Sequence, residues 1–352
     1  MDFTFTEDQI SFREAVSRFL MTEAAPEMLR EIWETDTGRS PALRAKIAEQ
    51  GLTALSVPES CGGLGMDDVA WALMTREVGY YGLPDSLPDT AYVAVGLLSG
   101  LAEGTPRRDE LLARVADGSI RIAVGHPVNP FVPDAHPADL LLLAHGDEVH
   151  AVERAAVTVE SLDSIDLSRR LARVQWTPSA LTCLAGGEEG ARLWAETLNR
   201  GALSTAGQLL GLALRMLDLS VDYAAQRKQF GKAIGSFQAV KHHLADVVTA
   251  IEFAKPLLAR AAYALAHGER HAAVRVSQAK LAAGEAAQLA ARKGIQVHGA
   301  MGYTWEVDLQ MFMKRAWALD PAWGDGAFHK TRLAEHVLVD GAPLGPGHTF
   351  GE

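Results

Sequence analysis

The chain has 352 residues, 48% of them hydrophobic, with 44 acidic against 33 basic side chains and a net charge of −11. That length accommodates two or three packed units, and the acidic balance argues against nucleic acid as the main partner while leaving room for a local basic pocket that binds phosphates. No run reaches the ~18 consecutive apolar residues of a membrane span, Met1-Asp2-Phe3 opens no secretory signal, and Cys61 and Cys183 lack metal-ligand spacing, so the expectation is a cytoplasmic protein with no metal site.

Thr6-Glu7-Asp8-Gln9 reads as a capping box, with Thr6 as N-cap and Gln9 reaching back, and Ile10, Phe12, Val16, Phe19 and Leu20 follow at helical spacing. A short helix over Ala42 to Gln50 ends at Gly51. Pro58-Glu59-Ser60-Cys61-Gly62-Gly63-Leu64-Gly65 places a proline and three glycines in eight residues, which forbids helix. Asp67 or Asp68 caps the next helix through Val69, Leu73, Val78 and Tyr80, and Asp85 to Ala116 reads as further helix closed by Gly118-Ser119.

From Ile120 the period changes. Arg121–Val124, Leu140–Leu143, Val149–Val152, Ala156–Val159 and Leu171–Val174 are short apolar or alternating runs separated by Gly, Pro, Asp and His, which predicts a small β domain of roughly 55 to 65 residues. Gly186-Gly187 begins a return to helix that continues to about His336, and the tail from Gly341 to Glu352 reads as irregular. The predicted division is 1–118 helical, 119–184 β and 185–352 helical.

Ala202 to Ala225 is apolar at helical spacing through Leu209, Leu210, Leu212, Leu214, Met216, Leu217, Leu219 and Val221, predicting a mostly buried helix that ends in a charged turn. Arg227-Lys228-Gln229 then precedes Phe230-Gly231, and Gly235-Ser236 leads into a helix carrying Gln238, Val240, Leu244 and Val247. A guanidinium beside a glycine that permits close backbone approach, with an aromatic next to it, suits a pyrophosphate joined to a flat ring system. A hairpin-like surface loop with a solvated arginine is equally compatible with the spacing.

Arg227-Lys228-Gln229-Phe230-Gly231, followed by Ile234-Gly235 and Phe237-Gln238, resembles the flavin-contacting signature of the acyl-CoA dehydrogenase family. Gly294-Ile295-Gln296-Val297-His298-Gly299-Ala300-Met301-Gly302-Tyr303 is similar to that family's glycine-rich turn, which lies against the ADP half of FAD bound by the neighbouring subunit. The resemblance covers nearly the whole chain. It implies a mainly α fold with a small β domain: an N-terminal helical domain, a middle β-barrel-like domain and a C-terminal four-helix bundle. It also implies FAD as cofactor, an acyl-CoA substrate, electron-transfer flavoprotein as redox partner, and a homologous subunit in a dimer or tetramer. By motif match Arg227 pairs with the FAD pyrophosphate, with Gln229, Phe230, Gly231 and Phe237 beside it, and Gln238, Gln296, Gly299 and Gly302 take the ADP portion. Each position also has an ordinary structural role open to it: a solvated helix-end charge for Arg227, a helix cap for Gln296, a turn for the glycines.

Two departures from the family pattern stand out. The family's T-E-P segment with its following serine, which holds the flavin ring, is replaced by Val124-Gly125-His126-Pro127-Val128-Asn129-Pro130, and no W-I-T-like strand is matched. Aligning Met313-Lys314-Arg315-Ala316 with the last substrate-wall helix puts Trp323 where the family carries its catalytic glutamate, and the alternative base position falls near Gly201-Ala202. Asp325 is the nearest substitute base, with helix N-cap or solvated loop charge as its other roles, and Asp320 is a weaker candidate. The pattern resembles one partner of the hetero-oligomeric acyl-CoA dehydrogenases of bacterial steroid side-chain catabolism, in which a sister chain supplies the glutamate. A self-sufficient homo-oligomer using Asp325 and a non-catalytic assembly subunit are the other two readings.

Overall fold

The computed structural model describes residues 5–339 and 341–342; most of the tail predicted to be irregular lies outside the described residues. Helices α1 (Glu7–Glu23), α2 (Pro26–Trp33), α3 (Pro41–Glu49), α4 (Asp68–Tyr81), α5 (Val95–Ser99) and α6 (Arg108–Ala116) come first. Strands β1 (Ile122–Gly125), β2 (Val132–Pro133), β3 (Leu140–His145), β4 (Glu148–Glu153), β5 (Thr158–Leu162), β6 (Leu171–Gln175) and β7 (Cys183–Ala185) follow. The remainder is α7 (Gly187–Gln226), the two-stranded β8 (Lys228–Gln229) and β9 (Lys232–Ala233), then α8 (Gln238–Ala266), α9 (Ala272–His298), α10 (Leu309–Leu319) and α11 (Gly326–Val337). The order helical, small β, helical is the one expected.

The capping box forms at the start of α1: Gln9 N–H donates to Thr6 Oγ1 at 3.2 Å and Thr6 N–H donates to Gln9 Oε1 at 3.0 Å. The single helix expected over Asp85 to Ala116 is a correction: a π turn at Asp89–Ala94 runs into α5, and the chain is non-helical from Gly100 until α6. Gly100, Gly104, Pro106 and Arg107, the last at φ 68°, break it where apolar periodicity alone would continue.

The chain divides into two compact units. One comprises Glu23–Asp67 and Leu83–Ser204. Within it four of the five predicted runs are strands and the fifth, Ala156–Val159, is strand only from Thr158, its start lying in the 3-10 turn Arg154–Ala156; with the very short β2 and β7 they form two sheets ordered β1-β3-β4-β7 and β2-β6-β5. β1 pairs parallel with β3, and the remaining pairings of these two sheets are antiparallel. All four leucines of Leu140–Leu143 are buried, as befits a strand covered on both faces. Leu141, Leu143 and Val152 from one sheet share a core with Ala172, Val159 and Val174 from the other, so the small β domain closes over a single apolar interior. Arg39 pairs with Asp134 and also donates to the Ser168 carbonyl at 2.6 Å, and Arg44 donates to Asp85 at 3.0 Å; all four charged side chains are buried.

The other unit comprises Met1–Thr22, Asp68–Gly82 and Thr205–Glu352. Glycines let α4 and the second half of α7 touch backbone to backbone: a Cβ on Gly211 would lie 2.6 Å from Tyr80 N, and one on Gly79 2.7 Å from Gln208 Cα. The buried face of α9 is dominated by alanine, including Ala279, Ala283, Ala286, Ala287, Ala290 and Ala291, which permits close packing against α8, α10 and α11. In α7, Leu209, Leu210, Leu212 and Met216 are buried as predicted, but Val221 is 46% exposed. Val248 and Phe253 of α8 are also exposed, so α7 and α8 present apolar side chains on the surface.

Candidate functional site

The predicted cofactor grip is built at the exit of α7. Arg227 N–H donates to Tyr223 O at 2.8 Å, and Ile234 N–H donates to Arg227 O at 2.8 Å. Between these bonds β8 and β9 pair through Lys228 with Ala233 and Gln229 with Lys232. The two-residue link Phe230-Gly231 has φ of 51° and 77°, the signature of a turn whose twist matches the flanking strands. Glycine adopts that conformation freely; Phe230 is a bulky residue held there at a cost. Its ring is 91% exposed and meets Phe237 edge-on at 6.1 Å, while Lys232 Nζ sits 4.5 Å from the Phe237 ring.

The glycine-rich turn lies against the same helix end. The Tyr223 ring stacks on His298, centroids 4.2 Å apart, and its hydroxyl lies 3.4 Å from the His298 carbonyl. His298 Nδ1 donates to Gly294 O at 2.8 Å, and burial is the main cause that lowers its pKa below the ordinary value. Gly299 turns the chain at φ 60°, ψ −138°, and Gly302 packs so closely that a Cβ would lie 3.1 Å from Ile295 Cα. Lys293 bridges to His243 at 2.9 Å and to Asp246 at 3.0 Å, which ties the end of α9 to the start of α8. The predicted residues are therefore gathered at one end of the bundle, with the side chains of Arg227, Gln229, Phe230, Gln238 and Gln296 exposed there. Among the described residues the Arg227 guanidinium has no ion-pair partner. A free cation, carboxamide donors and exposed aromatic edges are a donor set that fits a pyrophosphate joined to flat rings.

The segment carrying Trp323 is differently made. Trp323 is buried at φ 59°, and its carbonyl accepts from His329 Nε2 at 3.1 Å. A carbonyl only accepts, so His329 carries its proton on Nε2, and Nδ1 accepts from Ser277 Oγ at 3.0 Å. Burial, with the nearby Lys280 charge second, pushes His329 down to about 4. Lys280 Nζ donates to Asp320 O at 2.5 Å and to Gly324 O at 3.3 Å, and the Asp320 carboxylate accepts from Gln288 at 3.1 Å. Lys280, Gln288, Asp320 and His329 line a cavity of about 230 Å³ with Gly284 and Gly326. Asp325 is exposed and caps α11, accepting from Phe328 N–H at 2.8 Å; this is one of the roles its spacing had left open.

Within the β-containing unit, the loop standing where the family has its T-E-P segment is organised by His126. Its Nε2 donates to Trp194 O at 3.0 Å and Nδ1 accepts from Val128 N–H at 3.0 Å. Burial pushes its pKa down to about 4, so the ring is neutral and serves the turn. Sequence reasoning missed Tyr223, His298, Ser277 and His329. His298 lies inside a quoted motif and Tyr223 four residues before the other, but nothing local signals that they stack.

The sequence matches the model described as acyl-CoA dehydrogenase, N-terminal domain, over residues 6–119, and that described as acyl-CoA dehydrogenase, C-terminal domain, over residues 188–338. Acyl-CoA dehydrogenase IpdE2 of Mycobacterium tuberculosis (strain ATCC 25618 / H37Rv) is 31% identical over 311 residues, 88% of this chain and 91% of the relative. Two solved structures share the fold. The ChsE4–ChsE5 complex from Mycobacterium tuberculosis superposes with a TM-score of 0.84 at 22% identity, covering 96% of this chain and 99% of the other. The steroid acyl-CoA dehydrogenase Tcur3481–Tcur3483 superposes with a TM-score of 0.82 at 22% identity over 94% and 97%. No described helix is long and apolar enough to cross a membrane. The motifs, the order of elements and these relationships converge: the chain belongs to the FAD-dependent acyl-CoA dehydrogenase family.

Proposed function

We propose that this chain is one partner of a two-chain acyl-CoA dehydrogenase, completing the FAD site while a sister chain supplies the catalytic base for α,β-dehydrogenation of a CoA thioester. The observation that carries the reading is the buried Trp323. It stands at the aligned base position, and an indole has no lone pair available to take a proton. The nearest carboxylate, Asp325, faces solvent and has one oxygen committed to capping α11, which favours a structural role for it.

FAD, when bound, supplies the acceptor for the hydride that leaves the substrate β-carbon. This chain's contribution is binding and orientation. Arg227 neutralises the pyrophosphate, and the hairpin turn brings Phe230 and the Gly231 backbone beside it with Gln229 and Phe237. Gln238 and Gln296 offer carboxamides to the ADP portion, where Gly299 keeps the backbone open and Gly302 closes the turn against Ile295. Under this reading the FAD-contacting motifs belong to the helical 185–352, which follows the helical 1–118 and the β 119–184. The exposed Val221, Phe230, Val248 and Phe253 support a homologous subunit against the bundle, in a dimer or a heterotetramer. Two structurally similar assemblies are pairs of chains, ChsE4–ChsE5 and Tcur3481–Tcur3483, which favours the two-chain reading, and the second, a steroid acyl-CoA dehydrogenase, favours a bulky, steroid-like acyl group. Electron-transfer flavoprotein is the expected electron acceptor.

The test is the visible spectrum of the chain purified alone, with flavin quantified and then challenged anaerobically with a panel of acyl-CoA esters. Little flavin, or flavin that never bleaches, is expected. Stoichiometric FAD that bleaches, with activity abolished in Asp325→Asn, would overturn the partner reading in favour of a self-sufficient enzyme. In the two-chain complex Arg227→Ala is expected to release flavin; unchanged flavin content would assign this chain to assembly alone.

A further inference from the structure

The β3–β4 hairpin carries a cluster that flavin chemistry does not use. β3 ends at His145, Gly146-Asp147 makes the turn, and β4 opens with Glu148. His145 and Glu148 are direct cross-strand partners, and Glu148 and His150 are two apart on one strand, so all three side chains leave the same face. Glu148 Oε2 lies 3.2 Å from His145 Nδ1 and 3.0 Å from His150 Nε2, and the three donor atoms all fall within 4.8 Å of one another. Metal bonds of about 2.0–2.1 Å in a tetrahedron separate neighbouring ligand atoms by about 3.3 Å.

The surroundings fix the cluster's chemistry. Thr182 Oγ1 donates to Ser179 O at 3.0 Å, so at its 2.9 Å contact with His150 it accepts from Nδ1–H. That leaves Nε2 facing the Glu148 carboxylate oxygen at 3.0 Å, a place where the two groups share a cation, either a bound metal ion or a proton on the ring. A ligating imidazole whose distal N–H is held by an oxygen is the usual support of a metal-bound histidine. The His150 side chain is 2% exposed and packs edge-on against Trp176 at 4.9 Å, and Trp194 Nε1 pins the Glu148 carbonyl at 3.1 Å. His145 and Glu148 reach solvent, which leaves an entry path and an open fourth position.

We propose that His145, Glu148 and His150 bind a divalent transition-metal ion of the zinc class, with water as the fourth ligand. Nitrogen and carboxylate donors without thiolate suit zinc and its borderline neighbours rather than calcium or magnesium. The ion would clip the hairpin tip to β7 through His150 and Thr182.

The experiment is a competition titration of untagged, chelator-treated full-length protein with zinc chloride against a chromophoric zinc chelator at pH 7.5. X-ray absorption and a melting curve of the loaded sample accompany it. Expected are one zinc per chain, imidazole scattering with nitrogen or oxygen at about 2.0 Å, a higher Tm with zinc, and at least ~10-fold weaker binding for His145→Gln and Glu148→Gln. Both positions are exposed, so the variants should fold, and Cys183→Ser should bind like the wild type. Equal binding by wild type and the His145→Gln/Glu148→Gln double variant, loss on Cys183→Ser, or no stoichiometric binding would overturn the site and leave a protonated imidazole–carboxylate cluster.

Discussion

His329 gives a test of how the segment around Trp323 is held. Its folded-state pKa, about 4, lies below the ordinary histidine value of 6.5, so on acidification the unfolded chain takes up a proton that the native protein refuses. The stability it contributes is complete above about pH 6.5 and drains away as the pH falls toward 4. At pH 5 the loss amounts to about 2 kcal/mol relative to pH 7.5, rising to about 3 kcal/mol at and below pH 4. The substitution is His329→Gln, whose amide can donate to the Trp323 carbonyl and accept from Ser277 without titrating. Urea unfolding of both proteins at pH 7.5, 6 and 5, at fixed protein concentration and with matched m-values, gives the difference in pH slope. His126, also near 4 and buried, titrates in both and cancels. The expected result is a variant that loses about 2 kcal/mol less than the wild type between pH 7.5 and 5. Parallel slopes would mean that the native ring accepts the proton, and the argument from burial and the Trp323 carbonyl would be wrong.

Two further predictions concern packing. Gly211→Ala would drive a methyl into the backbone of α4, 2.6 Å from Tyr80 N and against the Arg76 carbonyl, neither of which can rotate away; a loss of at least about 2 kcal/mol is expected by thermal unfolding, and a change below about 0.5 kcal/mol would mean the helices part freely. Asp85→Asn leaves the buried Arg44 guanidinium without its anion, at an expected cost of about 3 kcal/mol, of which a well-packed Arg44→Met/Asp85→Leu pair should recover most. A double variant as unstable as the single would show that the charges are held by something other than each other.

Much of the fold was legible because it is written in local patterns. The capping box at Thr6 and the short apolar or alternating runs in the 120–175 region need only nearest neighbours to act, and they formed where expected save that the run Ala156–Val159 becomes strand only from Thr158. β2 and β7 were not legible, since two or three residues carry no period and become strands only because β6 and β4 offer free edges. The helix expected across Asp85 to Ala116 failed for the opposite reason: apolar periodicity persisted while Gly100, Gly104 and Pro106 ended the helix.

At the candidate site, residue types determined what could be bound, and packing determined what was gathered. The basic hairpin after α7, the glycine turn after α9 and the absence of a carboxylate at Trp323 are properties of the chain as written. Contacts that no local signal encodes did the rest. Tyr223 stacks on a ring 75 positions away, His329 reaches both Ser277 and the Trp323 carbonyl, and Thr182 orients His150 from 32 residues off. Side-chain chemistry is fixed residue by residue, so the sequence alone could single out the basic hairpin as a candidate phosphate grip and the lack of a carboxylate at Trp323. Tautomer, charge state and shared faces depend on which groups the fold brings within hydrogen-bonding distance, and only the tertiary structure decided those.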